Sequence, residues 1–470
     1  MISNFFLEKI RQNLPFEPTL QQGEALTEIV NFLFLKKHET LFLLTGYAGT
    51  GKSSLMGALV QTMTQLKQKT VLLAPTGRAA KVFSHYSAHP AFTIHKKIYR
   101  QKSYTGDAAE FSIMDNLYRD TLFVVDEASM ISNDSLGNAY FGTGRLLDDL
   151  IRYVYSGENC RLLLIGDSAQ LPPVGREESP ALSIPMLEGY GMEVYTANLT
   201  EIVRQGNDSG ILYNATHIRE ALRLNTTELY PKLSFANFTD IRNIKGEDLI
   251  DEISSAYHAH GVDNTMIVTR SNKRANIYNQ GIRNRILWRE EELSSGDLLM
   301  ISKNNYYWTE KIEGLDFLAN GEIVKVRRIR NTQELFGFRF CDAELISLDT
   351  DIEFTAKINL DSLHSEAASL RREDEEKLFA NVMIDYEHLS SKSARIKELK
   401  ADPFFNALQV KFAYAITCHK AQGGEWSNVF LDIGYITEEH LGINFYRWLY
   451  TAITRGKEKL SFVNLPKEFV

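Results

Sequence analysis

The stretch LFLLTGYAGTGKSSLMGAL, residues 41–59, decides the fold of this chain. It places the spacing G-x-x-x-x-G-K-S directly after an apolar run and directly before a helical pattern, which is the context that this motif requires. Gly46, Gly49 and Gly51 let the backbone curl so that successive amides face phosphate oxygens. The helix that follows adds the positive end of its dipole. The stretch therefore predicts a strand, a phosphate-binding loop and a helix of an α/β protein.

The predicted loop forms the centre of a nucleotide site. Lys52 is expected to hold the β and γ phosphates of ATP, and Ser53 is expected to be a ligand of Mg²⁺. The residues expected to contact the nucleotide are Gly46, Tyr47, Ala48, Gly49, Thr50, Gly51, Lys52, Ser53 and Ser54. ATP and Mg²⁺ are therefore the cofactors that the motif predicts.

More apolar runs follow the loop, and each ends in polar residues: TVLLAPT (70–76), TLFVVDEAS (121–129) and RLLLIGDS (161–168). Such runs are typical of a parallel sheet with crossover helices, whose ligands bind at the carboxyl ends of the strands. Asp126 is expected to complete the Mg²⁺ shell, mostly through water. Glu127 is then available to polarise the water that attacks ATP. The third run leads to Asp167 and to Gln170, whose neutral amide is suited to contact the γ-phosphate.

Composition sets the broad class of the protein. The chain has 470 residues, which is longer than a chain that folds around a single hydrophobic core usually is. Two to four domains are therefore expected. Its net charge of −8 argues against a protein that coats nucleic acid nonspecifically, although a local basic stripe is compatible with it. The cysteines are few and widely separated, which predicts a reducing compartment. We expect a cytoplasmic protein with no membrane partner.

The chain carries a second α/β pattern, which begins at TMIVTRSNK (265–273) and resumes at ALQVKFAYAITCHKAQG (407–423). The segment between them has a strong hairpin signal at Asn320-Gly321 and is interpreted as an inserted β module with charged helices. The expected units are a first core over 1–190 with an insertion at 100–120, a second core over 191–294 and 401–470, and the inserted module over 295–400.

Residues 266–289 contain six basic residues and no acidic one: Arg270, Lys273, Arg274, Arg283, Arg285 and Arg289. A local positive patch on a net-negative protein is typical of a surface that contacts a phosphate backbone. An ordinary basic helix is the alternative interpretation.

Read in order, the motifs resemble those of superfamily 1B helicases of the RecD, Pif and Dda type. Besides the phosphate loop and VVDEAS, the matching segments are TLQQGEAL (19–26), APTGRAAK (74–81), TIHKKIY (93–99), GDSAQLPPVG (166–175), LTEIVRQ (199–205), AITCHKAQGGEW (415–426) and YTAITRGKEKL (450–460). The resemblance implies two RecA-like parallel-sheet cores with ATP between them, an SH3-like β insertion in the second core, and a small β-hairpin pin at 100–120.

The resemblance also implies roles for particular residues. Gln22 corresponds to the adenine-reading glutamine, and Arg204 and Arg455 correspond to arginines that spread the charge of the transferring phosphoryl group. The expected nucleic-acid contacts, which are mostly to the backbone, are Pro75, Thr76, Arg78, Lys81, Thr93, His95, Arg270, Asn272, Thr417, His419 and Lys420. A structural role is the alternative for the two histidines.

The segment 100–120 holds a turn-forming Thr105-Gly106-Asp107 between stretches with aromatic residues. We expect a hairpin there, with Tyr104 or Phe111 stacking on a base at the fork.

The function expected from the resemblance is a 5′-to-3′ DNA helicase. Its partners would be single-stranded DNA, a duplex fork, and replication or repair proteins, and the motor would act as a monomer. There are two alternatives. One is an RNA-directed helicase of the same branch, and the other is a DNA-stimulated ATPase subunit that does not unwind duplexes. A small-molecule kinase is disfavoured because motifs occur in order in both halves.

Overall fold

The computed structural model describes residues 2–101, 111–134, 142–202, 209–227, 229–315, 317–348, 350–367 and 369–470. Within these ranges no helix is both long enough and apolar enough to cross a membrane.

The first core is an α/β unit. Its helices are α1 (Ile2–Asn13), α2 (Leu20–Leu33), α3 (Lys52–Gln65), α4 (Gly77–Ser87), α5 (Ile94–Ile98), α6 (Leu146–Tyr155) and α7 (Ile184–Glu188). Its strands are β1 (Thr40–Gly46), β2 (Lys69–Ala74), β3 (Ala91–Thr93), β4 (Tyr99–Gln101), β5 (Phe111–Ile113), β6 (Thr121–Val125), β7 (Arg161–Gly166) and β8 (Glu193–Leu199).

Six of these strands form a parallel sheet in the order β3-β2-β6-β7-β1-β8. The apolar runs β1, β2, β6 and β7 are the four that the sequence predicted. Helices pack on both faces of the sheet, in two separate apolar clusters. β8 pairs with β1 from Thr40↔Glu193 to Gly46↔Leu199, so the sheet extends beyond the expected limit at residue 190. β4 and β5 form a separate antiparallel pair.

The second core begins with α8 (Gly210–Leu224), β9 (Ile241–Ile244), α9 (Leu249–His260), β10 (Thr265–Thr269) and α10 (Asn272–Arg285). The inserted module follows with β11 (Leu298–Ile301), β12 (Ile323–Leu335), β13 (Phe338–Ser347), β14 (Glu353–Asn359), α11 (Asp361–His364), α12 (Arg372–Asp385), α13 (Lys392–Ala401) and β15 (Leu408–Phe412). The second core resumes with β16 (Ala415–Thr417), α14 (Cys418–Ala421), β17 (Trp426–Asp432), α15 (Ile443–Ile453) and β18 (Gly456–Val463).

The second sheet is parallel, in the order β16-β10-β17-β18-β9. The insertion is a closed barrel of β11 to β15, in which β15 pairs antiparallel with β11 and parallel with β14. The chain therefore has two parallel-sheet cores and a β insertion, which confirms the fold class. β15 differs from the expected boundary at residue 401, because a short apolar run such as LQVKF does not reveal which sheet it will join.

Candidate nucleotide cleft and nucleic-acid track

The loop after β1 has the geometry of a phosphate-binding loop. Gly49 and Gly51 adopt positive φ angles of 79° and 86°, and Gly51 is the N-cap of α3. A Cβ atom on Gly51 would lie 2.5 Å from Nε2 of Gln22, so a larger residue would displace the Gln22 side chain in addition to straining a left-handed backbone. Lys52 Nζ donates to the carbonyls of Gly46 and Tyr47, both at 2.8 Å. The ammonium group is thus placed over the loop.

The Gln22 side chain is hydrogen-bonded to the phosphate-binding loop. Its Nε2 donates to the carbonyl of Thr50 at 2.9 Å, and its Oε1 accepts from the amide of Thr19 at 3.0 Å within the capping box of α2. The side chain is buried. Adenine recognition by Gln22 therefore stays a prediction, since the structure shows its amide occupied by the loop and the helix cap.

The acidic pair follows β6 beside the loop. Asp126 Oδ1 accepts from the amide of Glu127 at 2.8 Å, and Asp126 Oδ2 accepts from the Tyr86 hydroxyl at 2.5 Å. The Ser53 hydroxyl also lies near this phenol. Glu127 has a left-handed backbone, with φ of 52°, and such strain is concentrated at functional sites. The oxygens of Ser53 and Asp126 thus meet around one phenol, and this hard donor set fits Mg²⁺.

Electrostatics link this pair to the second core. Burial and the Asp126 carboxylate raise the pKa of Glu127 to about 7, while Arg455 and Lys52 oppose that rise. Burial also raises the pKa of Asp126. Arg455 therefore lies within electrostatic range of the carboxylate that is expected to activate water.

Arg455 follows α15 and is held rigidly. Its guanidinium donates to the carbonyls of Thr451 (2.9 Å) and Gly424 (3.1 Å) and to Oγ1 of Thr454 (3.1 Å). Only 3% of the surface of Arg455 is exposed, so this arginine does not belong to a surface ion pair. Arg204, the other predicted arginine, lies outside the described residues.

The tip after β7 reaches the same cleft. Asp167 is buried and accepts from the Tyr450 hydroxyl at 2.7 Å. Gln170 is also buried, and its Oε1 has no hydrogen-bond partner within the described residues. The contact of the Gln170 amide with the γ-phosphate stays a prediction.

The track predicted for nucleic acid contains tips from both cores. Thr76 caps α4 by accepting from the amide of Ala79 at 3.2 Å. The Arg78 guanidinium lies over the ring of Trp426, 3.9 Å from its centroid, and donates to the carbonyl of Glu425 at 3.5 Å. The predicted contact segments 74–81 and 415–426 therefore touch each other.

Other predicted contacts extend this track towards the barrel. Lys81 Nζ donates to the carbonyl of Leu348 at 2.7 Å. Asn272, Thr417 and Lys420 line one depression together with Lys411 of β15. Pro75 and Thr93 lie at the ends of β2 and β3, and Thr93 caps α5.

The ionisable groups of the track are shifted by burial. Burial lowers the pKa of Lys420 to about 8, and burial together with the neighbouring Lys420 lowers the pKa of Lys411 to about 8. Lys411 was not predicted, because its contribution depends on the barrel. Burial lowers the pKa of His95 to about 4 and also lowers that of His419, so both imidazoles are expected to be neutral at pH 7.

Three of the six basic side chains in residues 266–289 pair with carboxylates, so only part of the predicted positive patch is available to a phosphate backbone. Arg283 and Arg289 both pair with the buried Asp297, at 3.0 and 2.5 Å, and Arg274 pairs with Asp432 at 2.5 Å. The carboxylates come from outside the segment, so sequence inspection of the segment alone did not reveal them. Arg270 lies over the rings of Phe445 and Trp448.

Both ends of the predicted pin segment, 100–101 and 111–120, lie within the described residues. Phe111 on β5 packs against Tyr306, with ring centroids 5.0 Å apart, and Tyr306 stacks on Phe317. The structure thus places Phe111 against the inserted module, and stacking of Tyr104 or Phe111 on a base at the fork stays a prediction. Tyr104 and the tip at 105–107 lie outside the described residues.

The chain matches two domain families in order along its length. Residues 21–235 match the AAA domain, and residues 412–463 match the UvrD-like helicase C-terminal domain.

Relatives that match most of this chain agree with these domain matches. The ATP-dependent RecD2 DNA helicase of Deinococcus radiodurans is 24% identical over 429 residues, covering 89% of this chain and 46% of that protein. The ATP-dependent DNA helicase Dda of phage T4 is 23% identical over 455 residues, covering 94% of this chain and 98% of Dda. The RecD subunit of the RecBCD enzyme of Buchnera aphidicola is 22% identical over 528 residues, covering 99% of this chain and 79% of that protein. The chain thus spans about half the length of the RecD2 relative. The two matched domains, their order and these relatives confirm the resemblance of the chain to the superfamily 1B helicases of the RecD, Pif and Dda type.

Proposed function

We propose that the chain is an ATP-dependent DNA helicase that moves 5′ to 3′ on single-stranded DNA and separates duplex DNA. The observation that carries this proposal is the shared cleft: Glu127 of the first core, beside Lys52, lies within electrostatic range of Arg455 of the second core, and the amide of Ala48 in the phosphate loop donates to the Tyr450 hydroxyl of the second core at 2.9 Å. A nucleotide bound there would contact both cores and so control their separation.

Hydrolysis would use groups from both walls of the cleft. Lys52 would neutralise the phosphates, Glu127 would accept a proton from the attacking water, and the amide of Gln170 would contact the γ-phosphate. Arg455, joined by Arg204, would stabilise the charge that develops on the phosphoryl group. Mg²⁺, held by Ser53 and Asp126, would supply further charge neutralisation.

Translocation would follow from alternate grip by the two cores. The tips carrying Thr76 and Arg78 on one core and Thr417 and Lys420 on the other suit contact with phosphate and sugar. Such contacts carry no sequence information and weaken with salt. Unwinding should therefore depend little on sequence.

The direction is inferred from relatedness. The Dda relative, matched over 98% of its length, is named a DNA helicase. The 1B assignment rests on the motifs GDSAQLPPVG and YTAITRG and on the inserted β module. We propose a monomeric motor whose partners are DNA forks and replication or repair proteins.

The test compares duplexes that carry only a 5′ tail, only a 3′ tail, or a 5′ RNA tail, with ATPase measured with and without single-stranded DNA. We expect opening of the 5′-tailed DNA only, and DNA-stimulated hydrolysis. Lys52→Ala serves as the inactive control. Preference for the 3′ tail would overturn the direction, preference for RNA would favour the RNA-directed alternative, and stimulated hydrolysis without opening would favour the non-unwinding ATPase.

The pin has a separate test. Deleting residues 104–107 should lower unwinding and spare DNA-stimulated ATPase, because the segment would act only at the fork. Equal loss of both activities would show that the segment is structural.

A further inference from the structure

One tyrosine hydroxyl joins three motifs across the cleft. Tyr450 on α15 is 1% exposed. Its Oη accepts from the amide of Ala48 in the phosphate loop at 2.9 Å and donates to Oδ2 of Asp167 at 2.7 Å. The phenol has one proton to donate, and Asp167 receives it. The hydroxyl therefore links the loop, the tip after β7 and a helix of the second core.

The tip after β7 is bound to the second core at further points. The amide of Leu171 donates to Oγ1 of Thr451 at 2.9 Å, and Gln422 Nε2 donates to the carbonyl of Leu171 at 2.8 Å. Asp167 Oδ1 is held by the amide of Ala169 at 2.9 Å. A shift of α15 would thus move the segment that carries Gln170.

The second core also contacts the loop through an arginine. Arg219 on α8 is 8% exposed and lies over the Tyr47 ring, 4.5 Å from its centroid. Its Nε has no hydrogen-bond partner within the described residues. The loop is therefore contacted at Tyr47 and Ala48, two consecutive residues, by two different helices of the second core.

We propose that Tyr450 is a positioning residue that couples occupancy of the phosphate loop to the second core, an inference that rests on the proposed function. A phosphate oxygen that takes the Ala48 amide removes one of the two bonds of the phenol. Tyr450 then keeps only Asp167, and α15, which leads to Arg455, is released from the loop. The hydroxyl thereby makes the arrangement of the second core depend on the nucleotide.

The experiment measures single-stranded DNA affinity by fluorescence anisotropy with and without a non-hydrolysable ATP analogue. Tyr450→Phe keeps the ring and removes the hydroxyl. Tyr446→Phe is the matched control, since Tyr446 is a buried tyrosine of the same helix whose hydroxyl donates to Leu229 O at 2.7 Å, away from the loop. Coupling between two sites usually corresponds to about 5- to 150-fold in affinity. We expect Tyr450→Phe to reduce the analogue-induced change by at least about fivefold, and Tyr446→Phe to leave it unchanged.

A nucleotide effect in Tyr450→Phe equal to that of the wild type, or an equal loss in Tyr446→Phe, would overturn the inference. Thermal unfolding checks that each variant folds. Asp167→Asn provides a second variant, and its effect should not add to that of Tyr450→Phe if both act through one bond; full additivity counts against the proposal. Failure of the wild type to show any DNA-stimulated ATPase would instead refute the proposed function.

Discussion

The two walls of the nucleotide cleft are built differently. On the first-core wall, the functional groups are held by close neighbours in sequence: Lys52 by the carbonyls of Gly46 and Tyr47, and Asp126 by the amide of Glu127. On the second-core wall, the contacts span hundreds of residues, as between Tyr450 and Ala48. The difference indicates that the chemistry of phosphate binding is encoded locally, while its control depends on packing between cores.

The largest effect should come from the second-core wall. Arg455→Ala should lower the ATPase kcat by roughly 10³- to 10⁵-fold, the contribution of arginine fingers elsewhere, while changing the affinity for a fluorescent ATP analogue only a few-fold. Steady-state ATPase and nucleotide titration measure the two quantities. Arg242→Ala, an exposed arginine paired with Glu252, is the control. Parallel loss of nucleotide affinity would mean that Arg455 serves binding or folding instead.

On the first-core wall, Glu127→Gln should lower kcat by roughly 10²- to 10⁴-fold, since it removes a general base, and leave nucleotide binding intact. Lys52→Ala should lose binding as well, because the phosphates lose their cation. Comparing the two variants by nucleotide titration separates chemistry from binding within one wall. Normal turnover in Glu127→Gln would refute its role as the base.

A smaller effect tests the phenol that sequence inspection missed. Tyr86→Phe removes the hydroxyl donated to Asp126, and a hydrogen bond to a charged group contributes about 1.5–3 kcal/mol. The Mg²⁺ concentration for half-maximal nucleotide binding should rise about tenfold, in line with the lower part of that range. Tyr155→Phe, which removes a hydroxyl bonded to the Thr40 carbonyl, is the matched control. An unchanged Mg²⁺ requirement would show that Tyr86 only packs.

The nucleic-acid track offers a milder comparison between cores. Arg78→Ala should weaken single-stranded DNA binding nearly equally for all sequences and lower the slope of log affinity against log salt by about 1, as for one lost phosphate contact. Arg119→Ala, an exposed arginine paired with Glu158, should change neither. A sequence-dependent loss would indicate that Arg78 reads bases.

The smallest effect concerns pH. Lys411 and Lys420 have pKa values of about 8, so their protonated fraction falls as the pH rises through 8. DNA phosphate should raise both pKa values, so binding takes up protons and the DNA affinity should fall by roughly a few-fold between pH 7.5 and 9. Lys411→Arg should flatten the profile, because arginine stays protonated. An unchanged profile in that variant would exclude Lys411 from the track.

Much of the first core was predictable because its signals are local. The apolar runs that became β1, β2, β6 and β7 are bounded by polar tips, and parallel strands bring those tips to one edge. The boundaries were less predictable, as β8 and β15 show, because a short apolar run is compatible with more than one partner sheet.

By itself, the sequence determined the phosphate loop, the acidic pair after β6, the two-core class and the order of motifs, because each depends on residues close together in the chain. Tertiary structure alone decided that Tyr86 contacts Asp126, that Tyr450 joins Ala48 to Asp167, and that Asp297 neutralises arginines we took for a DNA surface. Hydrogen bonds and ion pairs act over a few ångströms of space, and the residues they join can lie anywhere along the chain.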